Sequence, residues 1–273
     1  MAAINGGHLV AKYLAEVEKI SMVFGISGGH IESILDGLNR YGIRAIDVRH
    51  EQAAAMMAHA WSIYTREPGV CIVTAGPGFT NALTGIVNAH LENMPLVVLS
   101  GRHPLRDDLR GALQEMNQVD MVKPVTRWQA TCYDTERIPE YMAIAFRMAV
   151  SGRPGPVFLE LPPDILNVTV EENEIIMPRW KTIPFTMHAE DSDLQEAARL
   201  INEAEQPIFI GGSGIGMSTC DTQLDEFIDE TGMPFSLLNN GRGVLPDSHP
   251  LSLADGGEWV IRDDVRPLAP GDD

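Results

Sequence analysis

The sequence is poor in cysteine, in aromatic residues and in positive charge. Its three cysteines, Cys71, Cys132 and Cys220, form no C-x-x-C pair, which indicates a reducing compartment rather than a disulfide framework. Lys and Arg number 20 against 38 Asp and Glu, and the resulting net charge of -18 argues against nucleic acid or an anionic membrane as a partner. The N-terminus shows no basic-then-apolar signal segment, and no apolar run approaches the ~18 residues of a membrane span. We therefore expect a cytoplasmic protein that does not associate with membranes.

The most regular stretch of the chain runs from residue 43 to residue 101. Short apolar runs predict buried strands over 43–48, 70–75 and 95–100. The segments between them have helical periodicity, over 52–65 and 79–92. Alternating strands and helices are typical of a parallel sheet with helices on both faces, so we predict an α/β fold.

Polar residues follow two of these predicted strands. Arg49, His50 and Glu51 come after the first, and Gly76-Pro77-Gly78 comes after the second. Ligands bind at the carboxyl edge of open parallel sheets, so both segments are candidates for a site, with Glu51 the strongest. The glycine turn lacks the GxxxxGK[ST] pattern and is therefore not a nucleotide P-loop.

His30 follows another predicted strand, over 21–26, and begins a helix. Gly28 and Gly29 precede it and permit a sharp turn at the end of the strand. His30 is then placed at the same sheet edge as Glu51. A hydrogen-bonded structural histidine and a site histidine are both compatible with this position.

The chain divides into a first domain over residues 1–165, a linker over 166–190 and an incomplete second α/β unit over 191–273. The linker region holds several prolines and few periodic apolar positions. The second unit has two strands at most, which do not make a stable sheet alone. Gly212 and Gly214 begin a dinucleotide-binding pattern, but Met217 stands where the third glycine belongs, so this signal is weak.

Several motifs together resemble the thiamine-diphosphate-dependent family that includes acetolactate synthase, with the nearest likeness to benzaldehyde lyase. The likeness spans roughly residues 5 to 250. The residues that carry it are Arg49-His50-Glu51-Gln52, Ala75-Gly76-Pro77-Gly78, Thr80-Asn81-Ala82, Gly29-His30-Ile31, Leu105-Arg106-Asp107-Asp108, Leu113-Gln114, Gln118-Val119-Asp120-Met121, Gly155-Pro156-Val157 and Asn240-Gly241-Arg242-Gly243.

The resemblance implies that the first domain holds the aminopyrimidine ring of thiamine diphosphate. Glu51 would hydrogen-bond a ring nitrogen and promote loss of the thiazolium proton. His30 and Gln114 match positions that handle substrate protons and oxygens in benzaldehyde lyase. The loop lining the cofactor would consist of Gly76, Pro77, Gly78, Phe79 and Asn81.

The chain also departs from the family pattern. No GDG sequence is present, although the family's diphosphate domain uses one with a later Asn to hold Mg²⁺; Asp255-Gly256-Gly257 does not fit. The Mg²⁺ ligands would therefore lie on a missing domain or on a partner, and no metal-ligating residues are assigned here. We expect a homo-oligomer, a separate diphosphate-domain subunit, or both. FAD in the central domain is a further possibility of the family.

The expected function is that of a thiamine-diphosphate-dependent lyase or transferase. It would cleave or form C–C bonds in acyloins or 2-hydroxyacyl-CoA, or decarboxylate and condense 2-keto acids. One alternative is an acetolactate synthase large-subunit-like enzyme, which Pro77 favours because benzaldehyde lyase has Gly there. Another is an inactive truncated or regulatory homologue that acts as a binding scaffold.

Overall fold

The computed structural model describes residues 3–183 and 188–253. The backbone separates into two compact units, residues 1–185 and 186–273, which are treated one at a time. This division lies beyond the predicted domain end at residue 165 and within the predicted linker over 166–190.

A six-stranded, all-parallel sheet is the centre of the first unit, in the order β3-β2-β4-β5-β7-β6. Every residue of the inner strands β4, β5 and β7 is buried, as expected where helices cover both faces. The strands of this unit are β1 (Ala3–Asn5), β2 (Met22–Gly25), β3 (Arg44–Asp47), β4 (Gly69–Val73), β5 (Leu96–Gly101), β6 (Trp128–Thr131), β7 (Val157–Leu161) and β8 (Thr169–Glu171).

Helices pack on both faces of this sheet and form two apolar layers. Along β4, Val70 and Ile72 belong to the layer with α1, α2 and α6, whereas Cys71 and Val73 belong to the layer with α3 and α4. The alternation follows from the two-residue period of a strand. The predicted α/β fold, with a parallel sheet and helices on both faces, is confirmed. The helices of this unit are α1 (Gly6–Glu16), α2 (Glu32–Arg40), α3 (Glu51–Thr65), α4 (Pro77–Glu92), α5 (Gln118–Val122), α6 (Ile138–Val150) and α7 (Pro163–Leu166).

Two parts of the first unit have no counterpart in the sequence prediction. Strand β6 lies at an edge of the sheet, is mostly half-buried and has no apolar alternation. Strands β1 and β8 form an antiparallel pair in which Ala3 lies opposite Glu171. Such long-range pairing of three-residue strands leaves no local pattern in the sequence.

The predicted linker is bound to the first unit over part of its length. Besides β8, the described residues of this segment include Thr182, which donates from its N–H to Glu18 Oε2 (3.2 Å) and from its hydroxyl to Glu18 Oε1 (2.8 Å). Glu18 is buried and also accepts from the Tyr13 hydroxyl at 2.8 Å. These bonds explain why the first compact unit extends past residue 165.

The second unit is a smaller α/β arrangement. Its two strands are parallel, and an isolated bridge joins Phe235 to Ser252. The predicted tail, including Gly256-Gly257-Glu258-Trp259 and 262–273, lies outside the described residues. The elements of this unit are α8 (Asp191–Glu203), β9 (Phe209–Gly211), α9 (Ser213–Met217), α10 (Asp221–Thr231) and β10 (Phe235–Leu237).

None of the helices in the described part of the chain is both long enough and apolar enough to span a membrane.

Candidate functional site

Glu51 is the first residue of α3, directly after the β3 strand end. The preceding His50 caps the helix, because its Nδ1 accepts from the Gln52 N–H at 3.2 Å. A carboxylate in the first turn is favoured by the positive end of the helix dipole. Glu51 is half-buried. The sequence therefore places an acidic side chain, held at its backbone, on the carboxyl edge of the sheet.

Asn81 holds the carboxylate of Glu51 from the neighbouring helix α4. Its amide Nδ2 donates to Glu51 Oε2 at 2.9 Å. Gly78 lies beside the other oxygen, since a Cβ built on Gly78 would be 3.4 Å from Glu51 Oε1 and 2.6 Å from Thr74 Cγ2. No described residue donates a hydrogen bond to Oε1. Two helix starts therefore fix Glu51 and leave one carboxylate oxygen for a ligand.

The turn before α4 depends on Gly76. Its φ of +59° and ψ of -116° suit glycine and are strained for other residues. Pro77 follows at the first helical position and is exposed, and the Thr80 N–H donates to the Gly76 carbonyl at 2.9 Å. Phe79 is fully buried, with its ring 5.0 Å from that of Phe158, so the structure places it in the core. The cofactor-lining role of Phe79 stays a prediction.

His30 is positioned by Thr74, at the end of β4. His30 Nδ1 and Thr74 Oγ1 are 3.1 Å apart, and the Thr74 side chain also packs against Gly28 and Gly78. Burial lowers the pKa of His30, more than a hydrogen bond with the Leu113 backbone raises it. His30 is therefore held neutral more readily than a free histidine, which suits a group that accepts a proton.

Gln114 reaches the same region from the loop after β5. Its backbone is left-handed, with a φ of +60°, and a Cβ on Gly76 would lie 2.8 Å from Gln114 Cβ. A non-glycine residue in this conformation is uncommon and often belongs to a functional loop. A cavity of about 540 Å³ opens beside His30 and is lined in part by Leu113 and Pro104. The three predicted catalytic residues thus contact one turn, His30 and Glu51 beside Thr74 and Gly78, and Gln114 beside Gly76.

A buried polar network lies under this turn and was missed by the sequence analysis. Gln118 binds both Gly76 and Glu160, and Glu160 accepts from Thr131 Oγ1 at 2.6 Å and pairs with Arg102 Nε at 3.3 Å. The charged Glu160 inside the apolar β7 strand is the sequence signal that could have revealed the network.

One group of possible metal ligands exists among the described residues: His103, Asp108 and Glu115, with ligand atoms within 4.8 Å of one another. These atoms already have protein partners. His103 Nε2 lies 2.5 Å from Asp108 Oδ1, which also pairs with Arg102, and Glu115 accepts N–H groups of its own loop. Those N–H donors lower the pKa of Glu115. We assign no metal to this cluster.

The chain matches two family profiles. "Thiamine pyrophosphate enzyme, N-terminal TPP binding domain" covers residues 4–121, which include every predicted site residue. "Thiamine pyrophosphate enzyme, central domain" covers residues 194–263. The chain belongs to the thiamine pyrophosphate enzyme family. The more specific likeness to benzaldehyde lyase stays a prediction.

Relatives in this family have several different activities by name. Human 2-hydroxyacyl-CoA lyase 1 is 34% identical over 248 residues, 90% of this chain and 43% of its own length. Acetolactate synthase large subunit IlvG of Mycobacterium tuberculosis is 36% identical over 252 residues, 92% and 46% of the two chains. Oxalyl-CoA decarboxylase of Escherichia coli is 32% identical over 262 residues, 94% and 46%. The chain therefore spans less than half the length of these curated relatives.

The described residues fit one part of thiamine pyrophosphate, which is the same molecule as thiamine diphosphate. Glu51 Oε1 can accept a hydrogen bond from a protonated ring nitrogen, and the absence of a side chain at Gly78 leaves room for a flat ring beside it. The site thus suits the aminopyrimidine of this cofactor.

Proposed function

We propose that this chain supplies the aminopyrimidine-binding half of a thiamine-diphosphate-dependent lyase or carboligase. The observation that carries the proposal is the Glu51 carboxylate held by Asn81 Nδ2 at 2.9 Å, at the point where α3 and α4 both begin. Gly76, Pro77 and Gly78 form the turn beside it. Glu51 would bind the protonated ring nitrogen through Oε1 and keep the ring in one orientation.

Thiamine diphosphate supplies the nucleophile and electron sink for breaking and forming C–C bonds next to a carbonyl. Within this chain, His30 would accept or return a proton at the substrate oxygen, because burial favours its neutral form. Gln114 would orient a substrate oxygen through its amide, at the cavity edge near His30. Phe79 supports the loop from the core.

The reaction we propose is cleavage or formation of an acyloin or a 2-hydroxyacyl-CoA, or decarboxylation of a 2-keto acid. The names of the relatives support this range. A diphosphate-binding domain that holds Mg²⁺ is needed to complete the site. A homo-oligomer or a separate subunit would bring that domain to this chain, and a cytoplasmic location is consistent with the three unpaired cysteines.

The substitution Glu51→Gln tests the proposal. It keeps the size and the Asn81 neighbour but removes the charge that holds a protonated ring nitrogen. In the chain combined with a diphosphate-domain partner, we expect turnover to fall by about 10²–10⁴-fold, the range for a positioned proton-transfer group. Thiamine diphosphate with Mg²⁺, titrated by calorimetry, should also bind more weakly.

The matched control is Glu226→Gln, which removes the same charge from an exposed position on α10 in the second unit. This variant should keep wild-type turnover. A folded Glu51→Gln complex with wild-type turnover would show that Glu51 does not activate the cofactor.

A second candidate is an acetolactate synthase-like enzyme that condenses two 2-keto acids, with FAD in the central domain. The Gly76-Pro77-Gly78 turn and the identity to acetolactate synthase IlvG favour it. Incubating the assembled enzyme separately with pyruvate, an acyloin and a 2-hydroxyacyl-CoA distinguishes the two. Acetolactate from pyruvate alone supports the synthase, whereas aldehyde release from the other substrates supports the lyase.

A further inference from the structure

Gln118 connects the ends of three neighbouring strands through one buried side chain. It begins α5 and is 1% exposed. Its Oε1 accepts from the Gly76 N–H at 2.7 Å, just after β4. Its Nε2 donates to the Gly101 carbonyl at 3.0 Å and to Glu160 Oε1 at 2.8 Å, at the ends of β5 and β7. The amide therefore uses its acceptor and both of its donors within the protein.

The surroundings fix the orientation of the Gln118 amide. Glu160 is buried and can only accept while it is ionised, and it is kept in place by Thr131 and Arg102. The Nε2 side must consequently face Glu160, which leaves Oε1 as the atom that faces Gly76. An amide rotated by 180° would set two acceptors against each other at 2.8 Å and two donors at 2.7 Å.

The Gly76 N–H has a large effect on the candidate site. Gly76 is buried, so a donor left unpaired there would be costly. The unusual φ and ψ of Gly76 set where α4 begins, and α4 carries both Gly78 and Asn81 to the Glu51 carboxylate. Losing the bond to Gln118 would free the turn at its first residue.

The same side chain also places the segment that carries Gln114. Gln114 and Gln118 lie on one short stretch of chain, and Gln114 packs directly against Gly76. Anchoring Gln118 to Gly76 therefore holds Gln114 against the turn in its left-handed conformation.

We propose that Gln118 is a positioning residue for the cofactor site: it fixes the Gly76 turn and, through that turn, the Glu51–Asn81 pair and Gln114. This inference rests on the proposed function, because the turn matters for catalysis only if the aminopyrimidine binds beside Glu51. Gln118 contacts neither cofactor nor substrate in this role.

The test compares Gln118→Met with Thr131→Val in the full chain. Gln118→Met keeps the length of the side chain and removes all three hydrogen bonds. Thr131→Val removes one hydrogen bond to Glu160 and leaves the bond to Gly76. Two quantities are measured: the NMR shift and hydrogen-exchange rate of the Gly76 amide, and the affinity for 4-amino-5-hydroxymethyl-2-methylpyrimidine, the free pyrimidine of the cofactor.

In Gln118→Met, the Gly76 amide proton should shift upfield and exchange about tenfold faster than in wild type, and pyrimidine affinity should fall about tenfold, as expected for one lost buried hydrogen bond. Thr131→Val should leave both quantities unchanged even where its melting temperature falls. If Gln118→Met does not fold, Gln118→Asn is used instead, since it keeps the amide but withdraws it by one methylene.

An unchanged Gly76 exchange rate in the folded Gln118 variant would overturn the inference, and so would an equal loss of pyrimidine affinity in Thr131→Val. A wild-type chain that binds no pyrimidine, with Gly76 exchange accelerated in Gln118→Met, would count against the proposed function instead. The exchange rate thus decides on Gln118 independently of the cofactor.

Discussion

Thr74 connects the parts of the candidate site at the scale of single residues. Its hydroxyl meets the His30 ring, and its methyl group packs where a side chain on Gly78 would stand. His30 and the Glu51 side of the site therefore share one small residue at the end of β4. A larger residue at position 74 would displace both at once.

The titration of His30 gives a prediction at this scale. Its pKa is lowered from 6.5, chiefly by burial, so between the lowered value and 6.5 the unfolded chain binds more protons here than the folded chain. The stability contributed by neutral His30 is fully present above about pH 6.5 and is lost as pH falls through this window. Wild type should therefore lose more free energy of unfolding between about pH 7.5 and pH 5.5 than His30→Asn, in urea titrations at each pH.

The control for this prediction is His188→Asn, which removes an exposed histidine. It should keep the wild-type pH dependence. Equal pH dependence in wild type and His30→Asn would show that His30 does not contribute. The other buried histidine with a lowered pKa, His59, accounts for dependence that remains.

The sequence revealed only some of the site residues. Glu51, the Gly76 turn and Asn81 were predicted because they occur in short, continuous motifs. Thr74 and Gln118 were not assigned roles, since their contacts depend on which loops meet above the sheet. Gln118 contacts Gly76 across 42 positions in the sequence, and no local pattern encodes that distance.

At the scale of elements, α3 is packed closely against β4. A Cβ on Gly69 would lie only 1.9 Å from the Ala58 carbonyl oxygen and 3.0 Å from Ser62 Oγ. Ser62 strengthens this contact, because its Oγ accepts from the Gly69 N–H at 2.8 Å and donates to the Pro95 carbonyl at 2.5 Å. The helix that presents Glu51 is thus held close to the sheet near its other end.

Gly69→Ala should therefore move α3 and the Glu51 carboxylate with it. Because the nearest atom belongs to the backbone, the expected loss is about 1–3 kcal/mol or more in the free energy of unfolding. Thiamine diphosphate affinity should fall as well. Denaturant unfolding and calorimetry measure these two effects.

Gly29→Ala is the comparison for this variant, since no atom lies within 4 Å of the added Cβ. It should change stability by less than about 0.5 kcal/mol. If Gly69→Ala were as stable as Gly29→Ala, the close packing of α3 on β4 would not be a constraint on the site.

The predicted elements were accurate where local pattern and burial agree. Helix α6 and strand β7 have the bounds that were predicted, because their apolar residues face the core with clear periodicity. Strand β6 was missed because an edge strand is half-buried and its sequence, Trp-Gln-Ala-Thr, does not alternate. Pairing of β1 with β8 joins distant segments, which periodicity does not record.

At the scale of the whole molecule, the first unit ends later than its sequence indicates. Strand β8 pairs with β1, and Thr182 supplies two donors to the buried Glu18 carboxylate. A fragment of residues 1–183 should consequently unfold cooperatively and retain these contacts. A fragment of residues 1–165 loses both, and the unpaired charge alone should cost about 1–3 kcal/mol.

Thermal unfolding by circular dichroism compares the two fragments. The shorter one should melt at least several degrees lower. Glu18→Gln in the longer fragment is the control, because it keeps the size of the side chain and removes the buried charge. Equal melting temperatures for residues 1–165 and 1–183 would return the domain end to the predicted position.

The burial of the cysteines has a practical consequence. Burial raises the pKa of the Cys132 thiol to about 11 and raises that of Cys71, beside the charge of Glu51, still further. Cys220 is half-buried, with Ser218 Oγ 2.8 Å from its sulfur. Because the thiolate is the reactive form, a maleimide at neutral pH should attach to Cys220 alone. The natural sequence therefore offers one site for a fluorescent label, in the second unit and outside the cofactor turn.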